Sequence, residues 1–191
     1  MRLLLIGAPG AGKGTQAVQL AERLGLTHIS SGDLLRQHVT DETPLGKQVK
    51  KFVSRGDLVP DQMVLDMLRK PIVAASQAGG YVLDGFPRTV DQAKVAYDTA
   101  RELGVAVQIA IHLHVERDEL VRRLLARGRG SDDTQDVIEH RLEVYEEKTR
   151  PMLDYYAQRE RLVTVDGAQP ADDVTAAVMA ELEEHKAELA D

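Results

Sequence analysis

Five short apolar runs punctuate the chain, at residues 2–7, 27–29, 81–84, 107–115 and 162–166, each bounded by Gly, Pro or Asp. Apolar runs of this length without strict alternation read as strands buried on both faces, as in a parallel sheet. Between them, residues 14–24, 61–74, 90–103, 117–126, 137–158 and 171–189 place apolar side chains three or four apart, the helical period. Strands alternating with helices imply right-handed crossovers. They predict an α/β fold, a doubly wound sheet of five parallel strands with helices on both faces. In such sheets ligands bind beyond the carboxyl ends of the strands.

Two stretches break the alternation. About fifty residues, 30–80, separate the second and third strands, too many for one crossover helix. Helical patterns starting at Gly32 and Leu45 make residues 30–59 an inserted helical flap. Residues 128–135 are polar and contain Gly, and they lie between two Arg-bearing helices, so a short mobile lid is expected at about 126–136. Length alone argues for one domain over residues 1–191 with these two insertions.

Composition narrows the chemistry. A net charge of -7 argues against a broad electrostatic grip on nucleic acid. A local basic cluster still suits a small anion: Arg117, Arg122, Arg123, Arg127 and Arg129 fall within thirteen residues. Read alone, such a cluster is equally a solvated helix face. The chain has no Cys, which removes disulfides, thiolate zinc ligation and a thiol nucleophile and fits a reducing, cytoplasmic location. No stretch approaches the roughly 20 apolar residues of a membrane span.

Residues 7–15, Gly-Ala-Pro-Gly-Ala-Gly-Lys-Gly-Thr, follow a predicted strand and open a predicted helix. In that context a Gly-rich stretch is a phosphate loop. Glycines let backbone N–H groups converge on phosphate oxygens, the helix N-terminus adds its dipole, and Lys13 brings a mobile charge. Gly14 stands where Ser or Thr usually follows the Lys, so a hydroxyl reaching Mg²⁺ directly is replaced by an expectation of a water-mediated ion.

These residues, with Ser31-Gly-Asp33-Leu-Leu-Arg36 and Leu83-Asp84-Gly85-Phe86-Pro87-Arg88-Thr89, closely resemble the adenylate kinase family, and the likeness runs along nearly the whole chain. The resemblance implies phosphoryl transfer between ATP and AMP to give two ADP, with Mg²⁺ accompanying ATP, by a monomer with no nucleic-acid or membrane partner. It assigns Gly10, Ala11, Gly12, Lys13, Gly14 and Thr15 to the ATP phosphates, with Arg123 and Arg127 embracing them and Gln169 beside the ATP base. Ser31, Asp57, Leu58 and Val59 would line the AMP base pocket, and Gln92 would read the adenine edge with one acceptor and one donor. Gly85, Phe86 and Pro87 carry Arg88 to the AMP phosphate, where Arg36 joins it, forked guanidinium matching paired oxygens. Arg129 and Arg141 resemble lid arginines that meet the transferring group. Lys13, Arg88, Arg123, Arg129 and Arg141 are the expected catalytic set, and Asp33 and Asp84 the expected water-mediated holders of Mg²⁺.

Asp132 and Asp133 end the short lid, expected either to pair with the arginines on closure or simply to start the next helix. Because the lid lacks Cys, no zinc is expected in it. His112, His114 and Glu116, spaced by two, are a minor alternative as metal ligands on one strand face. The competing function is a UMP/CMP kinase of the same fold, against which Ser31 and Gln92 stand. A guanine-reading switch would need Asn-Lys-x-Asp, and the chain has no Asn.

Overall fold

A computed structural model describes residues 1–128, 133–159 and 161–185. Strands β1 (Arg2–Ile6), β2 (Thr27–Ser30), β3 (Tyr81–Asp84), β4 (Ile109–His114) and β5 (Leu162–Asp166) form one sheet, every neighbouring pair parallel, in the order β2-β3-β1-β4-β5. Helix α1 (Lys13–Leu24) carries the chain from β1 to β2, while α4 (Asp61–Gln77) and α5 (Val90–Glu102) carry it back the other way. Right-handed crossovers running in opposite directions must lie on opposite faces. They do: the buried side chains of α1 join Leu3 and Leu5 of β1, and those of α4 and α5 join Leu4 and Ile6. The period of two thus feeds two aliphatic cores, one on each face of the sheet. Helices α6 (Arg117–Arg127), α7 (Gln135–Val144) and α9 (Ala171–Glu184) complete the first layer, and α8 (Met152–Ala157) the second.

Between β2 and α4, helices α2 (Ser31–Thr40) and α3 (Pro44–Arg55) pack against each other, and Thr43 caps the second, its side chain accepting from the Gly46 N–H at 3.0 Å. Helix α2 starts directly at the end of β2. Asp33 therefore sits in its first turn, and the Ser30 hydroxyl accepts its N–H at 3.2 Å.

The helix expected over residues 137–158 is divided into α7, a π-helical segment Tyr145–Thr149, and α8. The physical cause is Pro151, which has no N–H to return to the preceding turn and whose ring crowds it. The turn widens, and the Arg150 N–H bonds five residues back to the Tyr145 carbonyl at 2.9 Å. Pro71, by contrast, sits inside α4 without ending it, so that helix runs to Gln77, past its predicted end at residue 74. Among the described residues no helix is long and apolar enough to cross a membrane.

Candidate active site

The carboxyl ends of the strands deliver the candidate residues to one edge of the sheet. After β1 the loop turns back through Ala11, whose N–H bonds the Ala8 carbonyl at 3.1 Å, and α1 opens at Lys13 with Gly12 as its cap. Gly10 has φ +87°, and a Cβ there would stand 3.0 Å from Leu124 Cγ and 3.1 Å from the Leu120 carbonyl. Only glycine permits α6 to press so closely on this loop. The first N–H groups of α1 have no helical partner and face the cleft with the positive end of the helix dipole.

Lys13 Nζ donates to the Gly7 carbonyl at 2.7 Å and to that of Ala8 at 3.0 Å, both on its own loop. Burial lowers its pKa to about 8; Asp84 works against the shift, while Arg88, Arg141 and Arg127 add to it. This has a kinetic consequence. The Lys13 charge is lost from the free protein as pH rises through about 8, so on the phosphate-loop role expected from the sequence kcat/KM for ATP should fall above that value. Bound phosphate restores the pKa, so kcat should stay level over the same range. A pH profile in which kcat and kcat/KM fall together would contradict this role.

The phosphate loop lines a cleft of about 760 Å³, joined by Asp33 from the first turn of α2, Asp84 from the end of β3, and Arg123, Arg127 and Arg141. Arg123 spans from Glu119 (2.6 Å) to the carbonyls of Gly167 and Ala168 (both 2.9 Å), tying α6 to the loop after β5. Arg127 grips Asp133 through two bonds of 2.6 and 2.8 Å, and Arg141 lies 3.6 Å from the same carboxylate. The Asp133 side chain is 1 % exposed. It thus pairs with two of the arginines and offsets one of their two charges. Gln169 lines the far end of the cleft and donates to Asp166 at 3.3 Å.

A second cavity adjoins the first and shares Gly32, Arg36, Gly85, Arg88 and Arg141 with it. Ser31, Asp57, Leu58, Val59, Phe86 and Gln92 line its inner part. Gly85 has φ +83°, and a Cβ there would lie 2.7 Å from Ser31 Oγ, so any larger residue would crowd that hydroxyl. Arg88 is held at three points. Its Nε donates to the Gly85 carbonyl (2.6 Å), its N–H donates to Gln92 Oε1 (2.7 Å), and its carbonyl accepts from Thr149 Oγ1 (2.8 Å). Burial lowers the Arg88 pKa, against the attraction of Asp84. Pro87 does not line this cavity; it borders a small space beside Arg88 and Arg141.

The donor chemistry of the cleft fits a hard cation. Asp33 and Asp84 supply carboxylates beside the phosphate loop, with Asp33 Oδ1 accepting from Arg36 at 2.5 Å. Among the described residues no three His, Asp or Glu side chains converge. A Mg²⁺ ion here would therefore keep several waters and draw its other oxygens from phosphate. Among the described residues His112, His114 and Glu116 form no cluster that could hold a metal. His112 is 8 % exposed and neutral, its pKa lowered to about 4 chiefly by burial, while His114 pairs with Glu116 at 3.2 Å.

Every described candidate for the phosphate, base and cation roles except Pro87 thus lines one of these two adjoining cavities. Arg129 and Asp132 lie outside the described residues. Sequence reasoning missed Thr149, which meets Arg88 only through the tertiary fold, and Asp61, which accepts from Gln92 Nε2 at 2.6 Å. Thr89 and Gln92 did carry a signal. They spell a capping box, and the Thr89 hydroxyl accepts the Gln92 N–H at 3.1 Å.

The family model described as adenylate kinase matches residues 5–161 of this chain. An adenylate kinase 1 of Nostoc sp. is 45% identical over 174 residues, 91% of this chain and 94% of its own length. The adenylate kinase of Kocuria rhizophila is 44% identical over 185 residues, covering 95% of this chain and 98% of its own. That of Nocardia farcinica is 46% identical over 174 residues, covering 91% and 94%.

Proposed function

The chain belongs to the adenylate kinase family, and we propose that it carries out that family's reaction with ATP in the larger cleft and AMP in the smaller cavity. One observation carries the assignment of sites: two cavities of different lining share a wall of three arginines, Arg36, Arg88 and Arg141. Two polyanions approaching from opposite sides would bring their phosphates together there, beside Lys13. An AMP phosphate oxygen attacks the γ-phosphorus of ATP as the bond to the β-phosphate oxygen breaks, yielding ADP on each side. The attacking oxygen is already ionised, so no general base is needed, and catalysis reduces to alignment and stabilisation of spread charge.

In this reading the loop from Gly10 to Thr15 binds the β- and γ-phosphates, Lys13 follows the transferring group, and Arg88 with Arg36 holds the acceptor phosphate in line. Arg123, Arg127, Arg129 and Arg141 close over the ATP phosphates when residues 126–136 act as a lid, excluding water and strengthening each charge. Asp33 and Asp84 would hold Mg²⁺ through water, and the ion supplies charge neutralisation at the phosphates. Residues 30–59 form the flap over AMP, with Ser31, Val59 and Gln92 around its base and Gln169 at the base of ATP. The reading includes a monomer in the cytoplasm, supported by a chain with no Cys to oxidise.

An ADP-coupled assay with AMP, UMP, CMP and GMP as acceptors tests this. We expect kcat/KM for AMP to exceed that for UMP by about 10² or more, since an unmatched base edge leaves the remaining N–H and lone pair of the buried Gln92 amide without partners. Equal values for AMP and a pyrimidine monophosphate would favour a UMP/CMP kinase instead.

A further inference from the structure

Resting on the assignment of Gln92 to the acceptor base, we propose that Asp61 is a specificity-determining positioning residue: it fixes which way round Gln92 presents its amide, and so selects 6-amino over 6-oxo purines. Gln92 is 3 % exposed and lines the base cavity. Its Oε1 accepts from the Arg88 N–H at 2.7 Å and its Nε2 donates to Asp61 Oδ1 at 2.6 Å. A backbone N–H can only donate and a carboxylate can only accept, so these two partners dictate one orientation of the amide. Asp61 does this from outside the cavity. It is an exposed residue at the first position of α4 with one oxygen on Gln92.

The amide retains one N–H and one lone pair for a ligand. Adenine offers a ring-nitrogen acceptor next to an exocyclic amino donor. Hypoxanthine offers the reverse, a ring N–H donor next to a carbonyl acceptor. To match it the amide must turn over, setting NH₂ against the Arg88 N–H and oxygen against the Asp61 carboxylate. Both contacts are then repulsive, at an amide that is itself buried. Cytosine presents an acceptor and an amino donor in the same order as adenine, so the orientation of the amide does not act against CMP; only its smaller ring does. This separates the proposed role from a structural one. An Asp61 that merely anchors α4 to α5 would, when replaced, loosen the cavity for all poor acceptors alike.

The test is kcat/KM with AMP, IMP and CMP for the wild type, Asp61→Asn, Asp61→Glu and Gln92→Leu. An Asn at 61 can offer NH₂ to the turned amide. The AMP:IMP preference should therefore fall by about tenfold or more in Asp61→Asn, mainly through KM for IMP, while the AMP:CMP ratio stays within about twofold. Asp61→Glu, still an acceptor, should retain the wild-type AMP:IMP ratio. The proposal is overturned if AMP:IMP and AMP:CMP fall together in Asp61→Asn. It is also overturned if AMP:IMP holds in Asp61→Asn yet collapses in Gln92→Leu. If Gln92→Leu leaves AMP:IMP unchanged, Gln92 does not face the base, and that assignment fails before Asp61 is at issue.

Discussion

Lys13→Met is expected to lower kcat by on the order of 10²–10³ while leaving the melting temperature unchanged or slightly raised. The loss follows from removing the one lysine on the phosphate loop, a charge that acts on the transferring group in a cleft where water screens little. The stability side follows from linkage. Burial lowers the Lys13 pKa from 10.5 to about 8, so between those values the unfolded chain holds the extra proton and wild-type stability rises with pH. Below pH 8 the charge opposes folding. Methionine keeps most of the stem's packing and removes that opposition. Turnover by coupled assay and a melting curve at pH 7 check both halves; near-normal kcat in a folded variant would contradict the phosphate-loop role.

Arg141→Ala is expected to lower kcat by on the order of 10² and to change nucleotide KM far less. Its guanidinium lies on both cavities and 3.6 Å from Asp133, and Asp133 keeps its two shorter bonds to Arg127 when Arg141 is removed. In the proposed mechanism incoming phosphates would compete with Asp133 for these arginines, so the contact that matters would form only as the transferring group arrives. For the same reason the melting temperature should move little. Variants at 141 with wild-type kcat, measured alongside Arg129→Ala, would remove the arginine lid from the mechanism.

The sheet was legible because its evidence is local. Leu3 to Ile6 form an apolar run that only a strand buried on both faces can use, and the Gly-rich loop after it leads into Lys13 and α1 as the spacing required. What the sequence hid depends on residues far apart. Asp61 and Gln92 are 31 positions apart and Arg88 and Thr149 are 61; no periodicity connects them, and only the packing of α4 and the π-helical segment against the loop after β3 brings them together. The break in the helix expected over 137–158 was signalled by Pro151, but Pro71 shows why the signal alone could not decide: one proline is accommodated within a helix and the other divides it. Arg123 was read as a phosphate ligand, yet three of its N–H groups hold Glu119 and the loop after β5. Two remain for phosphate.

The central claim is that ATP and AMP occupy two adjoining cavities at once with their phosphates meeting at Lys13, Arg88 and Arg141. A crystal structure with a bisubstrate analogue, two adenosines joined by five phosphates, tests it most directly. The account predicts one molecule per chain, one adenine against Ser31 and Gln92, the other beside Gln169, and the phosphate bridge against Lys13 and the shared arginines. An analogue that bound with both adenines outside the Gln92 cavity, or two molecules each confined to one site, would contradict it.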